Sequence, residues 1–591
     1  MTSSSTPLAQ NLICDLLVVG SGAGGLATAI TAKKHGLDVV VIEKAPVFGG
    51  TTAFSGGVLW IPGSHHDRRA DSREAMLTYM KDQTGEFFDE AAVTAFLDHG
   101  PAMVDWFERE TAVKFVPTLY PDYHPDAPGG APVGRSILAA PFDASALGKE
   151  LARLRPPLET ITFVGMMFNS SNADLKHFFR ATKSLVSAAY VARRLAAHFI
   201  DLLRYRRGVQ VTSGNALAAR LAKSCFDLGI PIHTGVQTHE LLTQGGRVTG
   251  ARLTLQGREV RVAARRGVVL ACGGYAHDLA RTAQRYPHLA RGGEHLSPVP
   301  KDNTGDGLAL AEALAEALGG QVDSRFAGTG AAAWMPVSRV PLPGGRTGVF
   351  PHLLDRYKPG VIGVLRDGRR FTNESNSYHD VGAAMIEACA GQKETAMWLV
   401  CDQATISRYG LGYAKPAPMP LGGLIRQGYL FKGRTLAELA QAAGIDAAGL
   451  EATVREFNTG ARAGVDAQFG RGSTAFNRYL ADPEHQPNPC VAPVAQGPFY
   501  AVKLLMGDLG TFDGLRTSVQ GEVLREGGTA VPGLYAVGND RGSIMGGNYP
   551  GAGITLGPAM VFGWLTARHI AGLQDETGST AATDKELRHV A

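Results

Sequence analysis

Residues 15–43 read DLLVVGSGAGGLATAITAKKHGLDVVVIE, and their order decides the fold. Asp15 to Val19 is a short apolar run of the kind that forms a buried strand. Gly20-Ser21-Gly22-Ala23-Gly24-Gly25 follows without a gap. Gly20 allows the tight turn, Gly22 lets the backbone approach a pyrophosphate, and Gly25 lets the next helix close on the strand. Leu26 to Lys34 supply that helix, whose N-terminal amides and dipole favour phosphate. A second apolar strand, Val39 to Ile42, ends at Glu43, placed to accept hydrogen bonds from a ribose hydroxyl. Glycine-rich turns alone are common. Strand, glycines, helix, second strand and terminal acid in this order predict a Rossmann-like α/β domain that binds a dinucleotide.

The next stretch, Lys44 to Gly57, is KAPVFGGTTAFSGG. Its small and hydroxyl residues, Gly50, Thr51, Thr52, Ser55, Gly56 and Gly57, let the backbone run against a flat ring system while hydroxyls bond its polar edge. Directly after the ribose acid, this run is expected to line the cofactor, beginning at Lys44.

At 591 residues the chain is too long for one ordinary core, so two or more domains are expected. A hydrophobic share of 45% with 19% charged residues is that of a globular protein, and a formal charge of +4 gives no reason to expect nucleic acid. The six cysteines are scattered without a CxxC or metal-ligand spacing, which predicts a reducing compartment and no metal site. Without a signal-like N-terminus or a long apolar run, the expected location is cytoplasmic.

Three segments carry a resemblance. GSGAGGLATAI (20–30), VIEKAPVFGGTTAFSGG (41–57) and GLYAVGND (533–540) resemble the FAD-binding signatures of the fumarate reductase/3-ketosteroid dehydrogenase superfamily, from about Asp15 to Gly572. The resemblance implies FAD, held through Gly20, Gly22, Ala23, Gly24, Gly25 and the Lys44–Gly57 run. Members that bind FAD covalently carry a histidine where this chain has Thr51-Thr52, so non-covalent binding is expected. It also implies a discontinuous FAD-binding domain (12–325 and 506–575), an inserted α+β catalytic domain (326–505) and a polar tail (576–591). Further cofactor contacts implied in this way are the Val236 backbone near adenine, Gly274, Asp306 of the NTGDG element, Gly538 and Asn539. Gly553, Ile554 and Leu556 complete the set, in a loop that opens a helix toward the flavin.

The same resemblance supplies catalytic candidates. LYPDYHP (119–125), followed by Gly134-Arg135-Ser136, is similar to a ketosteroid-dehydrogenase segment that delivers an active-site tyrosine; Tyr123 is the candidate and Tyr120 the fallback. In RRFTNESNSY (369–378) the position three residues after Ser375 is an arginine in fumarate reductases and a tyrosine in ketosteroid dehydrogenases; here it is Tyr378. YPGAG (549–553) is similar to a segment of Δ1-ketosteroid dehydrogenases that holds the 3-keto oxygen with a tyrosine hydroxyl and a glycine amide; the matching residues are Tyr549 and Gly553. The implied reaction is 1,2-desaturation of a 3-ketosteroid. Two donors stabilise the enolate, Tyr378 with Tyr123 removes the C2 proton, and flavin N5 accepts the C1 hydride. A phenol with an ordinary pKa near ~10 needs either a lowered pKa or a hydroxyl relay to do this near neutrality. A Δ4-(5α)-dehydrogenase or another fumarate-reductase-like desaturase or ene-reductase is the enzymatic alternative, and a flavin-bound scaffold the non-enzymatic one.

With one dinucleotide fingerprint, taken by FAD, the expected electron acceptor is a quinone or carrier protein. Residues 174–208 carry eight Lys/Arg against two Asp, with Phe178, Leu185, Ala189, Leu195, Ile200 and Leu203 at broadly helical spacing. This basic excursion, within about 150–208, has two readings. One is a helix packed on the body with solvated charges; the other is an amphipathic surface resting on anionic lipid at the inner membrane face.

Overall fold

The computed structural model describes residues 11–67, 71–168, 177–178, 184–255, 257–317 and 328–573. The stretch 1–10, parts of the basic segment (174–176 and 179–183), the expected boundary at 325–326 and the tail 576–591 lie outside these residues. Strand Asn11–Val19 has parallel neighbours on both sides, Arg258–Leu270 and Val39–Glu43. Leu16, Leu17 and Val18 are fully buried, as a parallel strand covered on both faces requires. Val39–Glu43 pairs in turn with Ile232–Thr234, and Arg258–Leu270 with Ala530–Ala536, again parallel. One sheet thus gathers strands from three distant parts of the chain, with an antiparallel extension, Val236–Gln244 and Arg247–Leu255, at its side.

The first helix spans Ala23–Lys34 with Gly22 as its N-cap, and it is buried from Ala23 to Ala32. It crosses Leu556–Ile570 at glycines: a Cβ on Gly563 would lie 2.7 Å from the Gly24 carbonyl oxygen. This contact brings a helix near the end of the chain onto the glycine turn near its start.

A second, antiparallel sheet runs in the order Thr347–Pro351, Ala332–Pro341, Phe499–Thr511, Ala396–Asp402, Val361–Val364. Trp334, Met335, Trp398 and Leu399 are buried within it, each worth about 1.5–3 kcal/mol or more of apolar burial. Helix Tyr378–Ala388 lies against Ala332–Pro341, close enough that a Cβ on Gly382 would sit 2.6 Å from Trp334 Cβ. The fold is therefore a discontinuous Rossmann-like α/β unit with a mixed α+β insertion. Among the described residues no helix is long and apolar enough to cross a membrane.

The basic excursion forms helix Leu185–Tyr205, which attaches to the body along one face. Leu185, Val186, Ile200 and Leu203 are 90, 75, 62 and 87% exposed, while Ser187 and His198 face the body. Of the residues at helical spacing, Leu185, Ala189, Ile200 and Leu203 are exposed and Leu195 is half-buried, while His198 Nε2 is 2.9 Å from the Val164 carbonyl oxygen.

Candidate active site

Sterics in the first turn leave room only for glycine. Gly20 has φ +113°, and a Cβ there would fall 2.1 Å from the Ala271 carbonyl oxygen. Gly22 differs: the nearest atom to its Cβ position is Thr52 Oγ1 at 3.7 Å, so its face is open. Ala23 N donates to Thr52 Oγ1 (3.0 Å), which lays the Gly50–Thr52 segment across the helix N-terminus. Glu43 accepts from Ser21 N (3.1 Å), Ser21 Oγ (2.6 Å) and Ala45 N (2.9 Å). A carboxylate has about four acceptor sites, so one remains for a ribose hydroxyl. Gly235 N donates to the Ala45 carbonyl (2.8 Å), which brings Val236 beside that acid.

Across the groove, Lys44 Nζ is 2.8 Å from Asp306 Oδ2, and Asn303 Nδ2 donates to Thr51 Oγ1 (3.0 Å). Lys44 and Asp306 therefore pair with each other. Ser55 Oγ is engaged within its own loop, donating to the Thr52 carbonyl (2.8 Å) and accepting from Gly57 N (3.1 Å). Gly56 continues that loop, and a Cβ on Gly57 would meet the Ser213 carbonyl carbon at 2.2 Å. Gly274 N (3.1 Å) and Cys272 N (2.6 Å) both donate to the fully buried carboxylate of Asp540. Burial raises the Asp540 pKa above the ordinary value despite these bonds. Asp540 carries no signal in the sequence beyond its place after Gly538-Asn539, yet it ties the two halves of the groove together.

Gly538, Asn539, Ile554 and Thr555 line a cleft with Thr511 and Arg541. Thr511 Oγ1 and Arg541 Nη1 are buried with no hydrogen-bond partner. Buried polar atoms are normally paired, so these two suit a ligand with a polar ring edge. Burial also pushes the Arg541 pKa down to about 9. Glycine cradle, ribose acid and orphaned donors together fit FAD. Leu556 starts the helix beyond this cleft.

At one end of the groove stand the three tyrosines. Tyr123 OH donates to Tyr378 OH at 3.1 Å. The Tyr123 and Tyr549 rings stack at 5.3 Å, and the Tyr378 and Tyr549 rings meet edge-on at 5.0 Å. Tyr120 instead packs on Tyr479, with ring centroids 4.6 Å apart. Burial pushes all three phenols above their ordinary pKa, and for Tyr378 the neighbouring tyrosines add to the rise. Of the two routes open to a phenol base, the protein's own groups favour the hydroxyl relay over a lowered pKa. Gly553 has φ +95°, and its carbonyl accepts from Trp60 N (3.2 Å) and Gly557 N (2.9 Å).

Two buried networks hold these rings, and sequence patterns showed neither. Asp122 accepts from Trp60 Nε1 (2.8 Å), Arg135 Nη1 (2.8 Å) and Ala131 N (2.9 Å), while Tyr123 N donates to the Pro550 carbonyl (2.9 Å). The loop bearing Tyr123 is thereby fastened to the loop bearing Tyr549. Desolvation outweighs Arg135 at Asp122 and raises its pKa to about 6. Below Tyr378, Arg370 forms paired bonds to Glu374 (2.6 and 2.7 Å) and to Asp466 (2.8 and 2.9 Å). Arg471 Nη1 adds a 3.3 Å contact to Glu374. Burial alone would raise Glu374, but Arg370 and Arg471 hold its carboxyl below the ordinary value. The RFxNE residues are thus a scaffold for the turn into the Tyr378 helix, which Ser377 Oγ caps by accepting from Asp380 N (3.1 Å).

Comparison with known proteins agrees with this groove. The family described as FAD binding domain matches residues 15–556. A relative from Sinomonas cyclohexanicum named 4-oxocyclohex-2-ene-1-carboxylate 5-dehydrogenase is 44% identical over 568 residues, covering 95% of each chain. The 3-oxosteroid 1-dehydrogenase of Mycobacterium tuberculosis is 37% identical, covering 94% of this chain and 98% of its own. Among solved structures, 3-ketosteroid delta1-dehydrogenase from Sterolibacterium denitrificans, in complex with 1,4-androstadiene-3,17-dione, superposes with a TM-score of 0.86. It is 34% identical, covering 95% of this chain and 99% of its own. The chain belongs to the FAD binding domain family and is an FAD-dependent oxidoreductase of the group that includes the 3-oxosteroid 1-dehydrogenases.

Proposed function

We propose that this enzyme desaturates the carbon pair beside a ring ketone, with 1,2-desaturation of a 3-ketosteroid as the first reading. The observation that carries it is the buried cluster of Tyr123, Tyr378 and Tyr549, with the two hydroxyls of Tyr123 and Tyr378 at 3.1 Å. Tyr549 OH and Gly553 N–H hold the ketone oxygen and stabilise charge as it develops there. Tyr378 takes the proton from the adjacent carbon as its own hydroxyl proton moves to Tyr123 and the Tyr123 proton passes on to solvent. This reverses the hydrogen bond that Tyr123 donates to Tyr378. FAD, when bound non-covalently in the groove, supplies the hydride acceptor for the next carbon. A quinone or carrier protein serves as the final acceptor.

The steroid reading is supported by the aromatic wall around the tyrosines: Phe476 lies 4.6 Å from Tyr123, and Tyr120 and Tyr479 continue it. A second reading, a small ring ketone bearing a carboxylate, is favoured by the relative that shares 44% identity and is named for such a compound. Both place the oxidation beside a ring ketone. Turnover of the FAD-loaded enzyme with an artificial acceptor, on androst-4-ene-3,17-dione and on 4-oxocyclohex-2-ene-1-carboxylate, separates them. A higher kcat/KM on the steroid, with a 1,4-diene product, supports the first reading; a higher value on the carboxylate supports the second. A 4,5-double bond formed from a 5α-saturated steroid alone would move the assignment to Δ4 chemistry.

A peripheral contact with the inner membrane face belongs to the same proposal. What supports it is the outward stripe of Leu185, Ala189, Ala192, Ala196, Phe199, Ile200 and Leu203, beside exposed Arg193 and Arg204. Apolar side chains with a flanking basic rim match an anionic bilayer surface. Ile200→Ser with Leu203→Ser is expected to weaken binding to vesicles containing phosphatidylglycerol at least about tenfold, as loss of two buried apolar side chains implies. Equal sedimentation of wild type and variant with those vesicles would contradict the contact.

A further inference from the structure

Away from the groove, the loop after strand Val58–Trp60 brings two imidazoles onto helix Glu90–Glu110. His65 Nε2 and His66 Nε2 lie 3.0 and 3.1 Å from the same atom, Glu108 Oε2. The other oxygen, Oε1, accepts from Phe115 N (2.8 Å), which fixes the carboxylate so that Oε2 faces the rings. His65 Nδ1 is 2.5 Å from Asp105 Oδ1, one turn back on the helix. The two rings lie 4.0 Å apart, centroid to centroid.

Hydrogen bonds from two imidazoles tilted 37° to one another are one account of these contacts. A cation among the three atoms is another, and it explains why both Nε2 atoms converge on the same oxygen. Each neutral imidazole then offers an Nε2 lone pair, and His65 Nδ1–H donates to Asp105, the arrangement by which a carboxylate orients a metal-bound histidine. Bonds of about 2.0–2.1 Å in tetrahedral geometry place ligand atoms roughly 3.3 Å apart. The 3.0 and 3.1 Å separations are within a few tenths of this.

We propose that His65, His66 and Glu108 bind a divalent cation of the zinc type, with Asp105 as the positioning residue for His65. Two imidazoles and one carboxylate suit zinc and its first-row neighbours, whereas magnesium and calcium take oxygen ligands. His65, with a side chain 48% exposed, leaves the fourth position to water. The ion would staple the loop to the helix. That loop follows Trp60, whose indole holds Asp122, so the staple supports the loop of Tyr123 from outside the site. Cysteine spacing could not reveal it, because the ligands come from a His-His pair and a helix some forty residues later.

The test is equilibrium dialysis of chelator-treated, FAD-loaded protein against zinc chloride. One zinc per chain is expected, with affinity lowered about 10–100-fold in Asp105→Asn and at least as much in His66→Ala. The distant, exposed His239→Ala should be unchanged. Saturating zinc should also raise the melting temperature of the wild type but not that of His66→Ala, and magnesium should do neither. Flavin absorbance reports whether each variant is folded, and Glu108→Gln replaces His66→Ala if the latter is not. Failure of the wild type to bind zinc, or equal zinc affinity in the wild type and the folded variants, would overturn the proposal.

Discussion

Tyr378→Phe is expected to lower kcat by about 10²–10⁴-fold, the usual contribution of a positioned general base. Ligand and flavin binding should change little. The ring stays, so its edge-on packing against Tyr549 at 5.0 Å and against Tyr123 at 5.6 Å is kept. Only the hydroxyl that meets Tyr123 OH is lost. Because burial raises all three phenols, Tyr123 offers no readier phenolate to take over. The relay also makes a graded prediction: Tyr123→Phe should cost less than Tyr378→Phe, since it removes the second hydroxyl and not the one proposed as base. Steady-state kinetics with ligand titration of the flavin spectrum separates kcat from affinity. Near-wild-type turnover in Tyr378→Phe would remove this residue from the chemistry.

The second large effect is on stability. Arg370→Met is expected to destabilise the protein by about 3–5 kcal/mol, the range for breaking one partner out of a buried ion pair. The side chains of Arg370, Glu374, Asp466 and Arg471 are 0–2% exposed, so water cannot replace the lost guanidinium. Arg471, with one 3.3 Å contact to Glu374, would be the remaining cation of the network, and the backbone amides of Gly363, Gln468 and Arg471 would be left to hold two buried charges. Coulomb attraction in the intact network offsets a large desolvation cost, and removal of one cation leaves that cost uncompensated. The pH dependence follows in sign. Glu374 and Asp466 are held below their ordinary values, so their contribution is present above the unfolded-state carboxylate pKa. It is lost as pH falls through their lowered values. Denaturant unfolding followed by tryptophan fluorescence measures the difference. A change under about 1 kcal/mol would show that the network is not a stability element.

Local patterns carried the dinucleotide turn well, because sterics leave little choice there. At Gly20 only a residue without a Cβ fits beneath the Ala271 carbonyl, and such a constraint is visible as a glycine in the chain. The tyrosines were legible for a different reason, through resemblance to a family rather than through periodicity. What escaped were partners far apart in the chain, with whole helices and strands between them. Trp60 and Asp122 are 62 residues apart, and Arg370 and Asp466 are 96 apart. A buried aspartate such as Asp540 looks like any loop acid until its amide donors are seen. Helix Leu185–Tyr205 shows a second limit: a stripe of apolar residues at helical spacing says that one face is special, not that it faces inward. Nothing in the spacing of Arg541 gives it a role, yet its guanidinium lies over the Phe562 ring with Nη1 buried and without a hydrogen-bond partner.

The central claim is that the tyrosine cluster and the FAD groove together oxidise a C–C bond beside a ring ketone. Anaerobic mixing of the FAD-loaded protein with androst-4-ene-3,17-dione and, separately, with 4-oxocyclohex-2-ene-1-carboxylate tests it most directly, with flavin absorbance and product structure followed together. Bleaching of the flavin, with a 1,4-dien-3-one from the steroid or, from the carboxylate, 4-hydroxybenzoate (the aromatic tautomer of the dienone), is the predicted result. An unbleached flavin with both ketones, or bleaching without a desaturated product, would contradict it.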